Sequence, residues 1–446
     1  MLRSMFTSAA IADCFSDTAL LEAMLAFERA LARAQARCDV IPHTAAEGIE
    51  AAATSMRFDA EALARQARRA GTLAIPFVKQ LTAHVAAHDD EAARYVHWAA
   101  TSQDVQDSAL ALQLRKATAR LVDDLDRTGD AAARLADAHR ATPMAARTLL
   151  QVASPVPFGW KAAVWLDALT RARASLVRAA REAAVLQFGG ASGVRSALGD
   201  RGDDVASALS QLLDLPLPDV AWHGVRDRIA RLGAELGIVC GVLGKVAGDV
   251  ALLMQPEVAE AFEPTGAGRG GSSALPHKRN PVGSMLAREA GWRAPALVST
   301  LMVEIAGEHE RGLGQWQSQF WTLGELYDAA GSAAASMVEV LEGLTIDADA
   351  MRRNLDALRG FVYAEGVSMA LAASLGKAAA HARVEALCRE CDIAGTTLRE
   401  ALDADPELAA LLPQARRDEL FAPERQFGSA ATMIDRALAA WRTRGS

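Results

Sequence analysis

Apolar residues recur at intervals of three and four along most of the chain, which is the spacing of one face of an α-helix. One such stripe ends near Pro42 and consists of Leu20, Met24, Phe27 and Leu31. A second ends before Gly129 and consists of Leu110, Leu114, Leu121 and Leu125. Further long helices are predicted at 158–187, 283–306 (with a kink at Pro295) and 319–344. No segment sustains a period of two, so the pattern predicts an all-α fold without a sheet core.

Residues 226–254 predict one long helix with two apolar faces. The first face contains Ile229, Leu232, Leu236, Val239, Leu243, Val246, Val250 and Leu253, and the second contains Gly233, Gly237, Gly241, Gly244 and Gly248. At a rise of roughly 1.5 Å per residue, the helix would be about 40 Å long. Because Glu235, Lys245 and Asp249 would be costly in lipid, we expect the buried core of an oligomer and not a membrane span.

The composition is that of a globular helical protein. Hydrophobic residues make up 51% and charged residues 23% of the 446, which excludes wholesale disorder, and an aromatic content of 5% favours helices over strands. The net charge of −8 makes nucleic acid and anionic membranes poor partners. The N-terminus lacks the apolar core of a signal peptide and the five cysteines are scattered, so a cytoplasmic location is predicted.

Segments rich in glycine and proline divide the chain, and shorter helices follow residue 345. We predict an N-terminal helical domain over 1–105, a central bundle of long helices over 106–345 and a C-terminal helical domain over 346–446. The spaced glycines of 266–271 resemble a dinucleotide fingerprint, but the residues before them do not have the sequence pattern of the strand that this motif requires. Cys388 and Cys391 lack a second pair of metal ligands, so neither motif predicts a cofactor or metal site.

The loop 271–281, GSSALPHKRNP, concentrates polar groups between two apolar helices. It is longer than a helix connection needs, and its nine residues from 272 to 280 hold two hydroxyls, an ammonium, a guanidinium and an amide. Such a loop can close over a small anion, with backbone N–H groups, Lys278 and Asn280 binding carboxylate oxygens while a serine handles a proton. On composition alone, a solvated basic loop without function is an equal alternative.

This loop resembles the signature loop of the fumarase/aspartase superfamily, and HWAATSQD at 97–104 resembles the other substrate-binding region of that family. Four further blocks resemble its 3-carboxy-cis,cis-muconate cycloisomerase branch: LAIPFVK at 73–79, QFGGASG at 187–193, WHGVRDR at 222–228 and EHERGLGQW at 308–316. The resemblance covers essentially the whole chain. It implies a three-domain all-α fold around long helices, a homotetramer whose active sites are each assembled from three subunits, and no metal or organic cofactor.

The resemblance also implies roles for residues. The catalytic residues would be Ser272, which exchanges the proton on carbon, and Lys278. The substrate-binding residues would be Thr101, Ser102, Gln103, Gln151, Asn280 and Arg311. The implied substrate is a small polyanionic carboxylate that reacts through an enediolate-like dianion, which Lys278 and fixed N–H dipoles would stabilise once water is excluded.

The segment 147–155 departs from the superfamily pattern. Many superfamily lyases have a Thr-His-x-Gln segment that supplies a catalytic acid, but Leu149 occupies the His position, and Val152 stands where cycloisomerase relatives often have a His. This absence argues against an adenylosuccinate or argininosuccinate lyase, whose nitrogen leaving group needs protonation. A carboxylate that adds or departs is already a stable anion near neutral pH and needs little acid assistance.

We therefore predict a 3-carboxy-cis,cis-muconate cycloisomerase, an intramolecular lyase that forms 4-carboxymuconolactone in protocatechuate degradation. One alternative is a cycloisomerase of 3-sulfomuconate or another fumarase-type lyase. An alternative of another class is a non-catalytic helical scaffold, which the missing His favours and the intact Ser272, Lys278 and Asn280 oppose.

Overall fold

The structure is a computed structural model that describes residues 3–266 and 268–444, and most of them are helical. The first ten helices are α1 (Ala9–Ala12), α2 (Asp17–Arg37), α3 (His43–Ser55), α4 (Ala60–Ala70), α5 (Ala74–Ala86), α6 (Asp90–Ala93), α7 (Ser102–Ala138), α8 (Phe158–Ala183), α9 (Gly202–Leu213) and α10 (Asp227–Leu253). They are followed by α11 (Val282–Val303), α12 (Gln315–Glu342), α13 (Ala348–Asp356), α14 (Ala364–Leu375), α15 (Lys377–Ala394), α16 (Leu398–Ala404), α17 (Pro406–Leu411), α18 (Gln414–Leu420) and α19 (Ala430–Arg442). The strands are β1 (Pro143–Thr148), β2 (Gln151–Pro157), β3 (Ala261–Phe262) and β4 (Thr345–Ile346).

The long helices predicted from apolar spacing are confirmed to within a few residues, as α8, α10, α11 and α12. The all-α prediction is confirmed too, because the strands of the described residues form only two sheets of two strands each. The shorter helices expected after residue 345 are present as α13 to α19.

Gly129 does not end its helix, in contrast to the prediction, and α7 continues to Ala138. A Cβ at position 129 would lie 2.2 Å from the ring of Trp441 in α19. The indole nitrogen of Trp441 also donates to Asp130 over 2.7 Å. The absence of a side chain at Gly129 therefore makes room for the Trp441 ring. The helix continues through this glycine because tertiary contacts stabilise the helix here.

The hairpin of β1 and β2 was not predicted. The strands pair antiparallel from Pro143–Pro157 to Thr148–Gln151. Leu149 and Leu150 form the two-residue turn with φ of +51° and +63°, a left-handed geometry that usually selects Asn or Gly. Both leucines are exposed, at 97% and 77%, so the hairpin presents an apolar tip.

Residue contacts group the chain into two compact units, which comprise residues 1–124, 172–241 and 289–335, and residues 125–171, 242–288 and 336–446. The first unit has an apolar core that includes Phe27, Phe77 and Leu209. The second has a separate core among its C-terminal helices, which includes Leu371 and Leu398. The division into domains over 1–105, 106–345 and 346–446 stays a prediction.

The helix α10 has a buried leucine face and an exposed apolar face. Leu232, Leu236 and Leu243 are fully buried, whereas Ile238 is 51% and Leu252 44% exposed. Within the described part of the chain, α10 is the one helix long and apolar enough to cross a membrane. Its Asp249 accepts a hydrogen bond from the indole of Trp165 over 2.7 Å and contacts Lys245, a polar pairing that suits a protein core.

Candidate active site

The first turn of α7 is organised around the buried carboxylate of Asp104. Its Oδ2 accepts from the backbone N–H groups of Thr101 at 3.0 Å and Gly190 at 2.9 Å. Its Oδ1 accepts from the N–H of Gly189 at 2.9 Å and lies 2.7 Å from Nε2 of His223. A buried charge is tolerated when it is satisfied in this way, so Asp104 can fix two loops against the start of α7.

A second buried carboxylate, Asp107, lies one turn further along α7. Arg226 donates to it from both terminal nitrogens, at 2.7 and 3.0 Å, and Gln187 and Gln103 donate from their amides. The Nε of Arg226 donates to Gln319 of α12 over 2.8 Å. Loss of one partner would leave an uncompensated buried charge, so separating these groups is costly. The network therefore holds the start of α7 against the segments that carry Gln187, Arg226 and Gln319.

Arg311 connects Thr101 with the loop after Gly190. Its Nη1 donates to the Thr101 hydroxyl over 3.1 Å, and its Nη2 donates to the carbonyl of Ala191 over 3.1 Å. Gly190 has φ of +69°, the left-handed region that favours glycine. Thr101, Ser102 and Arg311 are half-buried, so this cluster of three predicted site residues is accessible.

Gln103, which the resemblance implies is a substrate-binding residue, lies on the inside of this cluster and is fully buried. Its Nε2 donates to Asp107 over 3.0 Å and to the carbonyl of His223 over 2.9 Å. Gln103 and Asp107 are four residues apart and share the inward face of α7, which explains why Gln103 is buried. Gln103 therefore joins α7 to the segment around His223 beneath the accessible residues of the cluster.

Sequence reasoning missed two histidine–carboxylate pairs here. One is His223 with Asp104, and the other is His97, whose Nδ1 lies 2.6 Å from Oε1 of Glu28. Burial lowers the pKa of His97, but the charge and hydrogen bond of Glu28 outweigh it, so the pKa is raised above its ordinary value. The only sequence signal was that both histidines lie in blocks that resemble the superfamily.

The predicted catalytic loop lies in the other unit and turns tightly around Ser272. The Ser272 hydroxyl oxygen accepts from the N–H groups of Ala274 and Leu275 at 3.3 and 3.1 Å. The loop ends lie together, because the N–H of Asn280 donates to the carbonyl of Gly270 over 2.8 Å. A Cβ on Gly270, whose φ is +66°, would lie 2.6 Å from the Asn280 carbonyl oxygen, so this approach needs glycine.

Lys278 is exposed on this loop, and no described residue forms an ion pair with it. The base of the loop is anchored instead by other charges. Glu263 accepts from the N–H groups of Gly283 and Ser284 at the start of α11, at 3.1 and 2.7 Å, and Arg269 pairs with Glu339 at 2.5 Å. The loop therefore presents the Lys278 ammonium, the Ser272 hydroxyl and the Asn280 amide from a fixed base.

Gln151 is exposed at the start of β2, next to the Leu149–Leu150 tip. The hairpin is fastened below it by Arg147, which donates twice to the buried carboxylate of Glu260, at 2.7 and 2.8 Å. Within the described residues, no hydrogen bond joins Gln151 to the catalytic loop. In the same residues, no three His, Cys, Asp or Glu side chains are grouped as metal ligands would be.

Chemically, the cluster in the first unit offers two hydroxyls and a guanidinium, and the loop in the second offers the Ser272 hydroxyl, an amide and an ammonium. Groups of these kinds can bind carboxylate oxygens, and a hydroxyl can move a proton. Each cluster is also held by buried charges or glycine geometry, which is the preorganisation that electrostatic catalysis requires.

Comparison with known proteins gives the family. The family model described as Lyase matches residues 4–295, and the model described as Adenylosuccinate lyase C-terminus matches residues 360–437. The chain is similar to the 3-carboxy-cis,cis-muconate cycloisomerase of Bradyrhizobium diazoefficiens, with 48% identity over 98% of this chain and 97% of the relative. It is also similar to the nitrosuccinate lyase of Streptomyces davaonensis, with 44% identity over 95% of this chain and 91% of the relative.

Among solved structures, the chain is similar to the 3-carboxy-cis,cis-muconate lactonizing enzyme from Pseudomonas putida. The TM-score is 0.94 and the identity 41%, and the match covers 100% of both chains. The match to the Lyase model spans both the segments that converge on Asp104 and the loop around Ser272. The chain therefore belongs to the fumarase/aspartase superfamily of lyases, in its 3-carboxy-cis,cis-muconate cycloisomerase branch.

Proposed function

We propose that the protein is a cycloisomerase that closes 3-carboxy-cis,cis-muconate to 4-carboxymuconolactone, in the breakdown of protocatechuate. The loop 271–281 carries this proposal, because it presents a serine hydroxyl, an amide and an ammonium without an acidic partner among the described residues. This set of groups suits a reaction that moves one proton beside a carboxylate.

In this reaction, a carboxylate oxygen of the substrate adds to one double bond and forms the C–O bond of the lactone. The electron pair of that double bond moves toward the adjacent carboxylate, which becomes enediolate-like until the neighbouring carbon receives a proton. Lys278 and Asn280 would bind the carboxylate that carries this negative charge. Thr101, Ser102 and Arg311 would bind other carboxylate oxygens of the substrate, and Gln151 would be a further contact.

Ser272 would deliver the proton to carbon. A serine hydroxyl is a poor acid and base in water, so its surroundings must stabilise the alkoxide that remains. The N–H groups of Ala274 and Leu275 already point at the Ser272 oxygen, and Lys278 lies six residues further on in the same loop. Both kinds of group favour negative charge on the oxygen, and exclusion of water would strengthen their effect.

The exposed leucines at 149 and 150 fit this reaction better than an elimination of an amine. No imidazole stands at the Leu149 or Val152 position to protonate a leaving group. In lactone formation the oxygen that adds is a carboxylate, whose ordinary pKa of about 4 makes it a stable anion near neutral pH. The reaction therefore does not need the histidine that is absent from these two positions.

We also propose that the protein is a cytoplasmic homotetramer, without a metal or organic cofactor, whose active sites combine residues of three subunits. Exposed apolar side chains on the long helices support an assembly: Ile238 and Leu252 of α10, and Trp292 of α11, which is 73% exposed. Nucleic acid and membranes have no place in this proposal, since the net charge is −8.

Two experiments test these proposals. Loss of the conjugated-diene ultraviolet band should accompany turnover of 3-carboxymuconate, and absence of turnover would refute the cycloisomerase. Co-expression of the inactive variants Ser272→Ala and Arg311→Met should restore activity if different subunits supply these residues to one site. Absence of restored activity, with a tetrameric mass in sedimentation, would refute sites shared in this way.

A second candidate is an elimination lyase or a sulfomuconate cycloisomerase, and the similarity to a nitrosuccinate lyase favours the former. The same assay with 3-sulfomuconate, and a product assay with nitrosuccinate and adenylosuccinate, distinguishes these activities. Turnover of none of the substrates would favour the non-catalytic scaffold.

A further inference from the structure

A cleft of about 500 Å³ lies in the N-terminal helical region, between α2, the end of α3 and residues 56–60. The volume is within the range of about 300–1,000 Å³ that is usual for small-molecule sites. The cleft shares no residue with the segments 97–104, 187–193, 271–281 and 308–316. It is therefore separate from the proposed active site.

One face of α2 supplies half of the cleft. Leu21 and Leu25 line it at helical spacing, while Met24, Phe27 and Leu31 of the same helix are fully buried in the core. The opposite side is Met56 and Phe58, and the Phe58 ring is held by a stacked contact with Phe77 at 5.0 Å between centroids. The floor of the cleft is thus apolar and includes one aromatic ring.

Two arginines and one glutamate border this floor. Arg29 is half-buried, and no described residue accepts from its guanidinium or pairs with it. The Nη1 of Arg57 donates to the carbonyls of Met56 at 2.7 Å and Thr54 at 3.4 Å, and the other two nitrogens of this side chain donate to no described residue. Glu22 forms no ion pair with either arginine. The lining therefore carries more positive than negative charge, in a chain whose net charge is −8.

We propose that this cleft is a binding site for a small monocarboxylate with a flat apolar body, such as an aromatic acid. The ring of the ligand contacts Phe58, Met56 and Leu25, and its carboxylate accepts from Arg29 and Arg57. The Glu22 carboxylate repels a second negative charge, so the cleft discriminates against the polycarboxylate that the active site is proposed to bind. A neutral ligand of the same shape leaves Arg29 unpaired and binds more weakly.

Benzoate is the probe, and the methyl resonance of Met56 is the readout, in the full-length protein labelled with 13C-methyl methionine. Loss of one resonance in Met56→Leu assigns it. We expect benzoate to shift this resonance saturably, with half-saturation on the order of 1 mM, and benzamide to bind about tenfold more weakly. Terephthalate, which carries a second carboxylate, should also bind more weakly than benzoate.

Arg29→Gln should weaken benzoate binding about tenfold. The matched control is Arg33→Gln on the next turn of the same helix, because Arg33 pairs with Glu50 at 3.4 Å and does not line the cleft. This control should leave the half-saturation unchanged, and the other methionine resonances show that both variants are folded. A Met56 resonance that does not move, moves equally with benzamide, or responds equally in Arg29→Gln and wild type would overturn the proposal.

Discussion

Arg311 donates from Nη1 to the hydroxyl of Thr101 over 3.1 Å, although the two residues are 210 positions apart in the chain. Thr101 immediately precedes α7, and Arg311 lies between α11 and α12. Their contact joins two of the blocks that resemble the superfamily. A guanidinium held by one hydroxyl and by the carbonyls of Gly190 and Ala191 keeps further donors for a ligand, since Arg has five N–H groups.

Removal of the Thr101 acceptor should therefore loosen the Arg311 guanidinium. For Thr101→Val we expect KM for 3-carboxymuconate to rise about tenfold with a smaller change in kcat, because a binding group becomes less ordered. Steady-state kinetics on the diene absorbance measure both constants. Arg389→Met is the control, since Arg389 pairs with Glu385 on the exposed side of α15. An unchanged KM in Thr101→Val would show that this contact does not order the site.

Ser272 and Ser273 are neighbours with different surroundings, and this difference gives a matched pair of variants. The Ser272 oxygen accepts from two backbone N–H groups, and Ser273 is exposed. Ser272→Ala should lower kcat about 10³-fold, within the range known for loss of an acid–base group. Ser273→Ala should change kcat by less than about threefold, as surface substitutions usually do. Equal losses, or a greater loss in Ser273→Ala, would remove Ser272 from its proposed role.

The Leu149 side chain stands at the tip of the β1–β2 hairpin and is 97% exposed, so replacement by His should be structurally tolerated. Because the adding group is a carboxylate, Leu149→His should raise kcat for 3-carboxymuconate by no more than about twofold. Leu150→His is the matched control at the adjacent turn position. A large gain that is specific to position 149 would mean that the reaction does need an acid there.

Gly129 gives a test of packing between α7 and α19. An added methyl would lie 2.2 Å from the Trp441 ring, so Gly129→Ala should destabilise the protein by about 1–3 kcal/mol through overpacking. At Gly324 in α12, the same methyl would only touch Phe15 at 3.9 Å, so Gly324→Ala should be neutral or stabilising by up to about 1 kcal/mol. Thermal unfolding of the two variants compares them directly, and a stable Gly129→Ala would contradict this packing.

The long helices were predictable because their apolar faces recur over many turns. The helix end predicted at Gly129 was wrong, because the helix packs there against Trp441, which lies 312 residues further along the chain. The hairpin was missed since its turn uses Leu149 and Leu150 in place of Asn or Gly. In the site, the loop around Ser272 could be predicted, because all of its polar groups lie within one short segment of the sequence. The pairs His97–Glu28, His223–Asp104 and Arg226–Asp107 join residues 69 to 119 positions apart, which no local spacing encodes.

The His97–Glu28 pair makes part of the stability depend on pH. Glu28 raises the pKa of His97 against the opposing effect of burial. His97 therefore binds its proton more tightly in the folded state than in the unfolded state. The contribution is complete below the unfolded pKa of about 6.5 and is lost as pH rises through the higher folded pKa. His97→Asn suits the φ of +57° at this position and removes the titration. The melting temperature of this variant should therefore fall further below wild type at pH 6 than at pH 9. His381→Gln, an exposed histidine, should show no such trend, and a gap for His97→Asn that stays constant or widens with pH would contradict the pairing.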